Sequence, residues 1–159
     1  MKRTLLGVLF AALWAIGTAP AVSAADADPI VGTWKLNLAK SVFAGIPALK
    51  SQIRTYSGSA PEFTLKMTTV SADGKETTTR ATYKLNGRDF PSMGNSDFDS
   101  LSGIQIDANT AEFTLKRSGK PVGKIRRAVS DDRRTLTINF VLMNAEGVQT
   151  SALTVFDRQ

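Results

Sequence analysis

The side chains able to do chemistry in this 159-residue sequence are bounded first by two absences: it contains no histidine and no cysteine. Without imidazole or thiol, Ser-His-Asp and Cys-His nucleophilic sites are impossible, and the usual zinc and haem ligands are missing. Carboxylates and bases remain. Asn95, Asp97 and Asp99 alternate in a polar stretch, as oxygen ligands do at the start of a calcium loop. The position that should be glycine is Ser100, however, and the closing glutamate would fall at Ile106. Turn chemistry explains these residues better, so neither a metal nor another cofactor is expected. Asp97 and Asp99 are also the carboxylates best spaced to act as acid and base, yet a solvent-facing loop supplies nothing to separate their pKa values. No catalytic residue can be named, and the chain reads as a non-enzyme.

Two further groups could bind rather than react. Lys116, Arg117, Lys120, Lys124, Arg126, Arg127, Arg133 and Arg134 crowd one stretch against only Asp131 and Asp132, in a chain of net charge +6. Lys116, Arg117, Lys124, Arg126 and Arg127 could form a basic hairpin for an anionic envelope component such as lipid head groups or polysaccharide. The simpler account is a solvated strand face guarded by charge against edge pairing. The second group is apolar. Trp34, Phe63, Met67, Tyr83, Phe113, Phe140 and Phe156 sit where they could line one interior, either as the wall of a ligand cavity or as plain core.

The elements that must position these residues are short strands. Phe63, Leu65 and Met67 alternate with Thr64, Lys66 and Thr68; Phe113 and Leu115 with Glu112, Thr114 and Lys116; Leu136, Ile138, Phe140 and Leu142 with Thr135, Thr137 and Asn139. A period of two with one apolar face means one side in a core and one in water. Strands are expected over 30–38, 52–57, 62–70, 76–85, 103–106, 111–117, 123–129, 135–144 and 148–157. Asp73-Gly74 and Asn86-Gly87 supply the positive φ of tight turns. The stretch Asn86 to Ser100 reads as the longest loop, a possible lid, and only Leu38 to Leu49 has room for a short helix, limited by Pro47. Eight to ten strands at this spacing imply an all-β, antiparallel up-and-down barrel. The pentapeptide Glu-Phe-Thr-Leu-Lys occurs at 62–66 and again at 112–116; unmatched flanks make it reuse of a good amphipathic strand.

The N-terminus predicts export. Lys2 and Arg3 precede an apolar run from Leu5 to Ile16, and Val22-Ser23-Ala24 offers the small residues of a cleavage site. The run is shorter than the ~20 residues a membrane span needs, so residues 1–24 are expected to leave as a signal peptide. Residues 25–159 would then be one domain, periplasmic or secreted and not membrane-spanning. Export also removes nucleic acid as a partner, despite the basic charge.

Gly32-Thr33-Trp34 on the first strand of such a chain resembles the opening motif of the calycins, the lipocalins and fatty-acid-binding proteins. The segment Asp28 to Asn37, with Ala39-Lys40-Ser41, Ser71 to Lys75 and Val155 to Gln159, is similar to small secreted bacterial lipocalin-like proteins of no assigned function. The resemblance implies a lipocalin-like barrel whose base Trp34 plugs, with Gly32 admitting a close neighbour. It also implies that Arg158 lies across the indole and bonds to carbonyls near the N-terminus. It departs at the carboxylate clamp of the fatty-acid-binding proteins, an Arg-x-Tyr pair that falls on Thr154 and Phe156. The first connection is too short for that family's helical lid, and no C-terminal helix follows. The expected function is binding of a small apolar ligand inside the barrel, with Tyr83 or a nearby arginine orienting it. The alternative is a filled barrel acting as an interaction or inhibitor module through the basic hairpin.

Overall fold

Alternating side chains and Asx-Gly turns produce the strand sequence almost throughout. The computed structural model describes residues 27–92 and 97–159, so the expected signal peptide, like Asn95 and Ser96, lies outside the described residues. The strands are β1 (Gly32–Leu36), β2 (Val42–Ala44), β3 (Leu49–Ser59), β4 (Glu62–Ser71), β5 (Glu76–Lys84), β6 (Asn86–Pro91), β7 (Ser100–Gln105), β8 (Thr110–Arg117), β9 (Lys120–Val129), β10 (Thr135–Met143) and β11 (Gln149–Arg158). They form one antiparallel sheet in the order β5-β4-β3-β1-β11-β10-β9-β8-β7-β6, with β2 also paired to β11. The sheet curls into a nearly closed, all-β barrel. Its two ends, β5 and β6, follow one another in the chain yet are not paired neighbours in the sheet.

Two expectations need correction. Residues 86–100 are not one loop: Asn86–Pro91 is an edge strand paired with β7 through an irregularity between Asn86 and Asp89. The slipped register hid its alternation, and Pro91 is tolerated because the edge needs no donor there. Leu38 does not continue the inward row of β1. The strand ends at Leu36, Asn37 caps a single 3-10 turn at Leu38–Lys40, and Leu38 stays exposed. Asn37 holds this break against β11, donating its backbone N–H to the Val155 carbonyl and its side-chain amide to Asp157.

The base of the barrel is closed by Trp34, which is fully buried. Its indole N–H donates to the Ile30 carbonyl at 2.8 Å. The Arg158 guanidinium stands 4.3 Å from the ring centre and donates to the carbonyls of Pro29 (2.6 Å), Val31 (2.9 Å) and Arg133 (2.6 Å). A planar fork can stack on the ring and donate in its own plane at once; an ammonium cannot. Gly32 makes room: its φ is +135°, and a Cβ there would lie 2.6 Å from an Arg158 nitrogen. Arg133 itself adopts φ +57°, an uncommon conformation for a non-glycine residue. Burial and a nearby Arg133 both push the Arg158 pKa down.

Around this plug Leu36, Tyr56, Phe63, Tyr83, Phe113, Val129, Leu136, Ile138 and Phe156 pack into the main core. At the opposite end Phe98 is packed on Leu115 and Leu142, with Val122, Leu101 and Phe140 against them. Arg117 ties the segment carrying Phe98 across the mouth, donating to the carbonyls of Asp97 (2.7 Å), Met143 (3.2 Å) and Asn144 (3.4 Å).

Replacing Trp34 with alanine should destabilise the fold by about 3–5 kcal/mol, the cost of emptying a large aromatic site. Arg158→Lys should recover only part of the loss seen in Arg158→Ala. Urea unfolding followed by circular dichroism measures both.

Candidate functional site

Strand alternation decides which side chains reach the barrel interior. From β3 come Gln52, Arg54 and Tyr56; from β4, Phe63, Leu65, Met67 and Thr69; from β5, Tyr83; from β9, Ile125, Arg127 and Val129. The last of these rows corrects the basic hairpin. Arg126 and Arg127 are consecutive strand residues and must point to opposite faces. Arg126 is exposed, whereas Arg127 is only 4% exposed and lies inside.

Three other members of the basic stretch are engaged, and Lys120, Lys124, Arg133 and Arg134 take part in no ion pair among the described residues. Lys116 pairs with Asp89, and Arg126 with Glu112 at 2.7 Å. Arg117 is committed to the three mouth carbonyls, and among the five hairpin candidates Lys124 alone remains exposed and without an ion pair among the described residues. The aspartates of the former loop do turn work. Asp99 accepts from the Ser118 N–H and the Ser100 hydroxyl, and these bonds hold its pKa below the usual carboxylate range. Asp97 accepts from the Ala145 N–H.

Inside, Arg127 is the centre of an aromatic box. Its guanidinium carbon lies 5.5 Å from the Tyr56 ring centre, 5.8 Å from that of Phe63 and 5.7 Å from that of Phe113. One terminal nitrogen donates to the Tyr83 hydroxyl at 2.6 Å, and the buried Nε has no partner. No described carboxylate pairs with it. Removing a charge from water costs several kcal/mol; three ring faces return roughly 0.5–2 kcal/mol each, but they supply neither a counter-charge nor an acceptor for Nε. Burial pushes the Tyr83 pKa up to about 12, against the opposing pull of the Arg127 charge. Tyr83 is therefore a neutral phenol across the physiological range.

Arg54 stands above the box toward the mouth. It lies 5.1 Å from the Phe156 ring centre and donates to Gln52 Oε1 at 2.7 Å and to the Tyr56 hydroxyl at 3.4 Å. Gln52 in turn donates to Thr69 at 2.9 Å. Thus Thr69, Gln52, Arg54 and Tyr56 form a polar ladder running down to the Arg127 box. No aspartate or glutamate faces inward among the described residues.

Of the residues expected to line one interior, Trp34, Phe63, Tyr83, Phe113 and Phe156 are buried in a single core. Met67 and Phe140 are half-buried, Phe140 at the mouth rather than in that core. The inward residues of the mouth half, including Arg54, Leu65, Met67, Thr69 and Ile125, keep partial access to solvent. A side cleft of about 360 Å³ opens between β5 and β6, bounded by Tyr83, Lys84, Arg88 and Phe90. A second, of about 390 Å³, lies at the base beside Arg133, Arg134 and Arg158. The sequence puts Arg127 among the surface candidates of the basic hairpin, although it is in phase with Ile125 and Val129, and it leaves the direction of Arg54 open.

Solved structures share this architecture. A fatty acid binding protein of Schistosoma mansoni in complex with arachidonic acid aligns with a TM-score of 0.58 at 13% identity, over 82% of this chain and 96% of that one. The barrel has the fold of that fatty acid binding protein. Zebrafish ileal bile acid-binding protein complexed with cholic acid gives 0.54 at 12% identity, over 82% and 99%. As-p18, an extracellular fatty acid binding protein, gives 0.51 at 16% identity, over 83% and 97%. No family model matches the chain, and no curated protein matches it. At these identities the likeness is one of fold.

Two predictions follow from the box. Tyr83→Phe removes the hydrogen-bond acceptor that the Arg127 guanidinium has among the described residues and should cost about 1–3 kcal/mol, read by chemical denaturation. The raised Tyr83 pKa favours the neutral phenol in the folded state. Its contribution to stability is whole below pH 10 and is lost as pH rises toward 12. Tyrosinate absorbance should show a late-titrating phenol that disappears in Tyr83→Phe.

Proposed function

We propose that the barrel binds a small amphipathic molecule with one acidic head group, the head beside Arg127 and Arg54 and the apolar body toward the mouth. The observation that carries this reading is the buried Arg127 guanidinium, with an unpartnered Nε and, among the described residues, no carboxylate within the barrel. An arriving carboxylate would supply the missing counter-charge and accept the free N–H, while Tyr83 fixes the guanidinium plane. The apolar body would be held at roughly 25 cal/mol per Å² removed from water by Leu65, Met67, Ile125 and Phe140.

The clamp expected of the fatty-acid-binding proteins is replaced by Thr154 and Phe156, so the head group would depend on β3 and β9 instead of β11. Two similar barrels are named for complexes with arachidonic acid and cholic acid, both apolar carboxylic acids, which supports the chemical class. With residues 1–24 read as a signal peptide, the site of action is periplasmic or extracellular. Ion pairs on Lys116, Arg117 and Arg126, and the interior place of Arg127, leave the surface-module alternative Lys124 as the free member of its five hairpin candidates among the described residues.

Titration of a fluorescent long-chain carboxylic acid and its methyl ester tests the proposal. The acid should bind more tightly than the ester, and Arg127→Met should weaken the acid alone by about 10–100-fold, the worth of one charge-assisted hydrogen bond. Equal effects on both ligands, or no binding of either, would sink it. Ligand-free Arg127→Met should be as stable as the parent or more so, since an uncompensated buried cation is removed.

A further inference from the structure

The end of the sheet at β5 carries an interaction surface of its own. β5 is nine residues long, has no proline or glycine, and every residue but Tyr83 is exposed. Its pairing with β4 runs without a register shift from Glu62↔Lys84 to Val70↔Glu76. The flanking bonds Ser71 N–H to the Lys75 carbonyl and Leu85 N–H to the Pro61 carbonyl set the alternation. By that alternation Thr77, Thr79, Ala81 and Tyr83 bond to β4, while the N–H and C=O groups of Glu76, Thr78, Arg80, Thr82 and Lys84 point away from the sheet. Proline, a bulge and an inward-pointing charge are absent from this edge, and the defence it carries is the exposed charge of Glu76, Arg80 and Lys84. Near Leu85 the neighbouring strand is close, with Tyr83 stacked on Phe90 at 5.7 Å. The Glu76 end is the one farther along the chain from that junction.

Charge selects the occupant. Arg80 faces Lys66 across the β4–β5 ladder, a like-charge pair, and neither Glu76 nor Arg80 takes part in an ion pair among the described residues. We infer that β5 pairs with β5 of a second copy, antiparallel about a two-fold axis through Thr78. This register sets Glu76 opposite Arg80 of the partner, and Arg80 opposite its Glu76, with Thr78 against Thr78. Each of these residues offers its N–H and C=O outward, so the backbone ladder and the charge pattern agree. Each Arg80 gains a carboxylate beside the lysine it now faces. Threonine hydroxyls already pair across this same face, Thr68 with Thr78 at 3.1 Å and Thr64 with Thr82 at 3.0 Å. A register centred on Arg80 would instead oppose two guanidiniums. The dimer follows from the edge and is independent of what the barrel binds.

The chain lacks cysteine, so single-cysteine variants report the register directly. Thr78→Cys should form a disulfide-linked dimer under mild oxidation, because directly opposed strand residues lie ~5.5 Å apart, within disulfide reach. Thr68→Cys, one strand inward on the same face, should not. In sedimentation, Glu76→Arg and Arg80→Glu should each raise the dimer dissociation constant by roughly tenfold, by turning two attractive cross-strand pairs repulsive. The double variant should restore it. A chain monomeric at every concentration, cross-linking of Thr68→Cys as fast as Thr78→Cys, or a double variant no better than the singles overturns the inference.

Discussion

The indole of Trp34 under the guanidinium of Arg158 is the interaction on which the barrel depends. It is the one place where the first and last strands, the N-terminal segment at Pro29–Val31 and the β9–β10 turn at Arg133 are all tied to one group. Without it, the start and end of the chain would still meet through the short β1–β11 ladder, Trp34↔Arg158 to Leu36↔Phe156, the Asn37 bonds to Val155 and Asp157 and the β2–β11 pairing, but no buried group would join them at the base. Stacking and in-plane donation also answer a bookkeeping problem, because carbonyls at the base of a closed barrel have few other donors. Gly32 is part of the same device, since any side chain there would occupy the space of the guanidinium.

The second constraint is the cation left inside. A core built only for stability would place an aliphatic residue at 127, in line with Ile125 and Val129. Arg127 instead carries a desolvation cost that its aromatic neighbours and Tyr83 offset incompletely. Under the proposed function, the head group of the ligand supplies the missing counter-charge. Arg54 extends the same logic toward the mouth, where half-buried side chains still meet solvent. The two halves of the barrel thus differ in kind: a packed base that holds the fold, and a more open half that has polar and apolar surface to offer.

Much of the fold was legible before any coordinates. The alternation around Phe63, Phe113 and Leu136–Leu142 assigned inward and outward faces, and the structure has those residues on the inward side. Both copies of Glu-Phe-Thr-Leu-Lys do the same job, with phenylalanine against Arg127 and glutamate outside in an ion pair, Glu62 with Lys84 and Glu112 with Arg126. The candidate site was less legible. Arg127 sat in a run of basic residues whose collective charge masked its individual phase, and Arg54 and Tyr56 lay on a strand without a clear apolar face. Strand β6 was hidden because its irregular pairing and proline break the period that reveals strands.

The sequence by itself determined the absence of imidazole and thiol chemistry, the strand class, and the side of the sheet to which most apolar residues belong. These depend on residue type and on spacing within one strand, which are local. Only the tertiary structure decided that the sheet ends at β5 and β6, that Phe98 crosses the mouth under Arg117, and that Arg127 has no carboxylate to meet. Those facts concern which groups from distant strands come together, and a charge is paired or unpaired only with respect to neighbours that the chain brings from elsewhere.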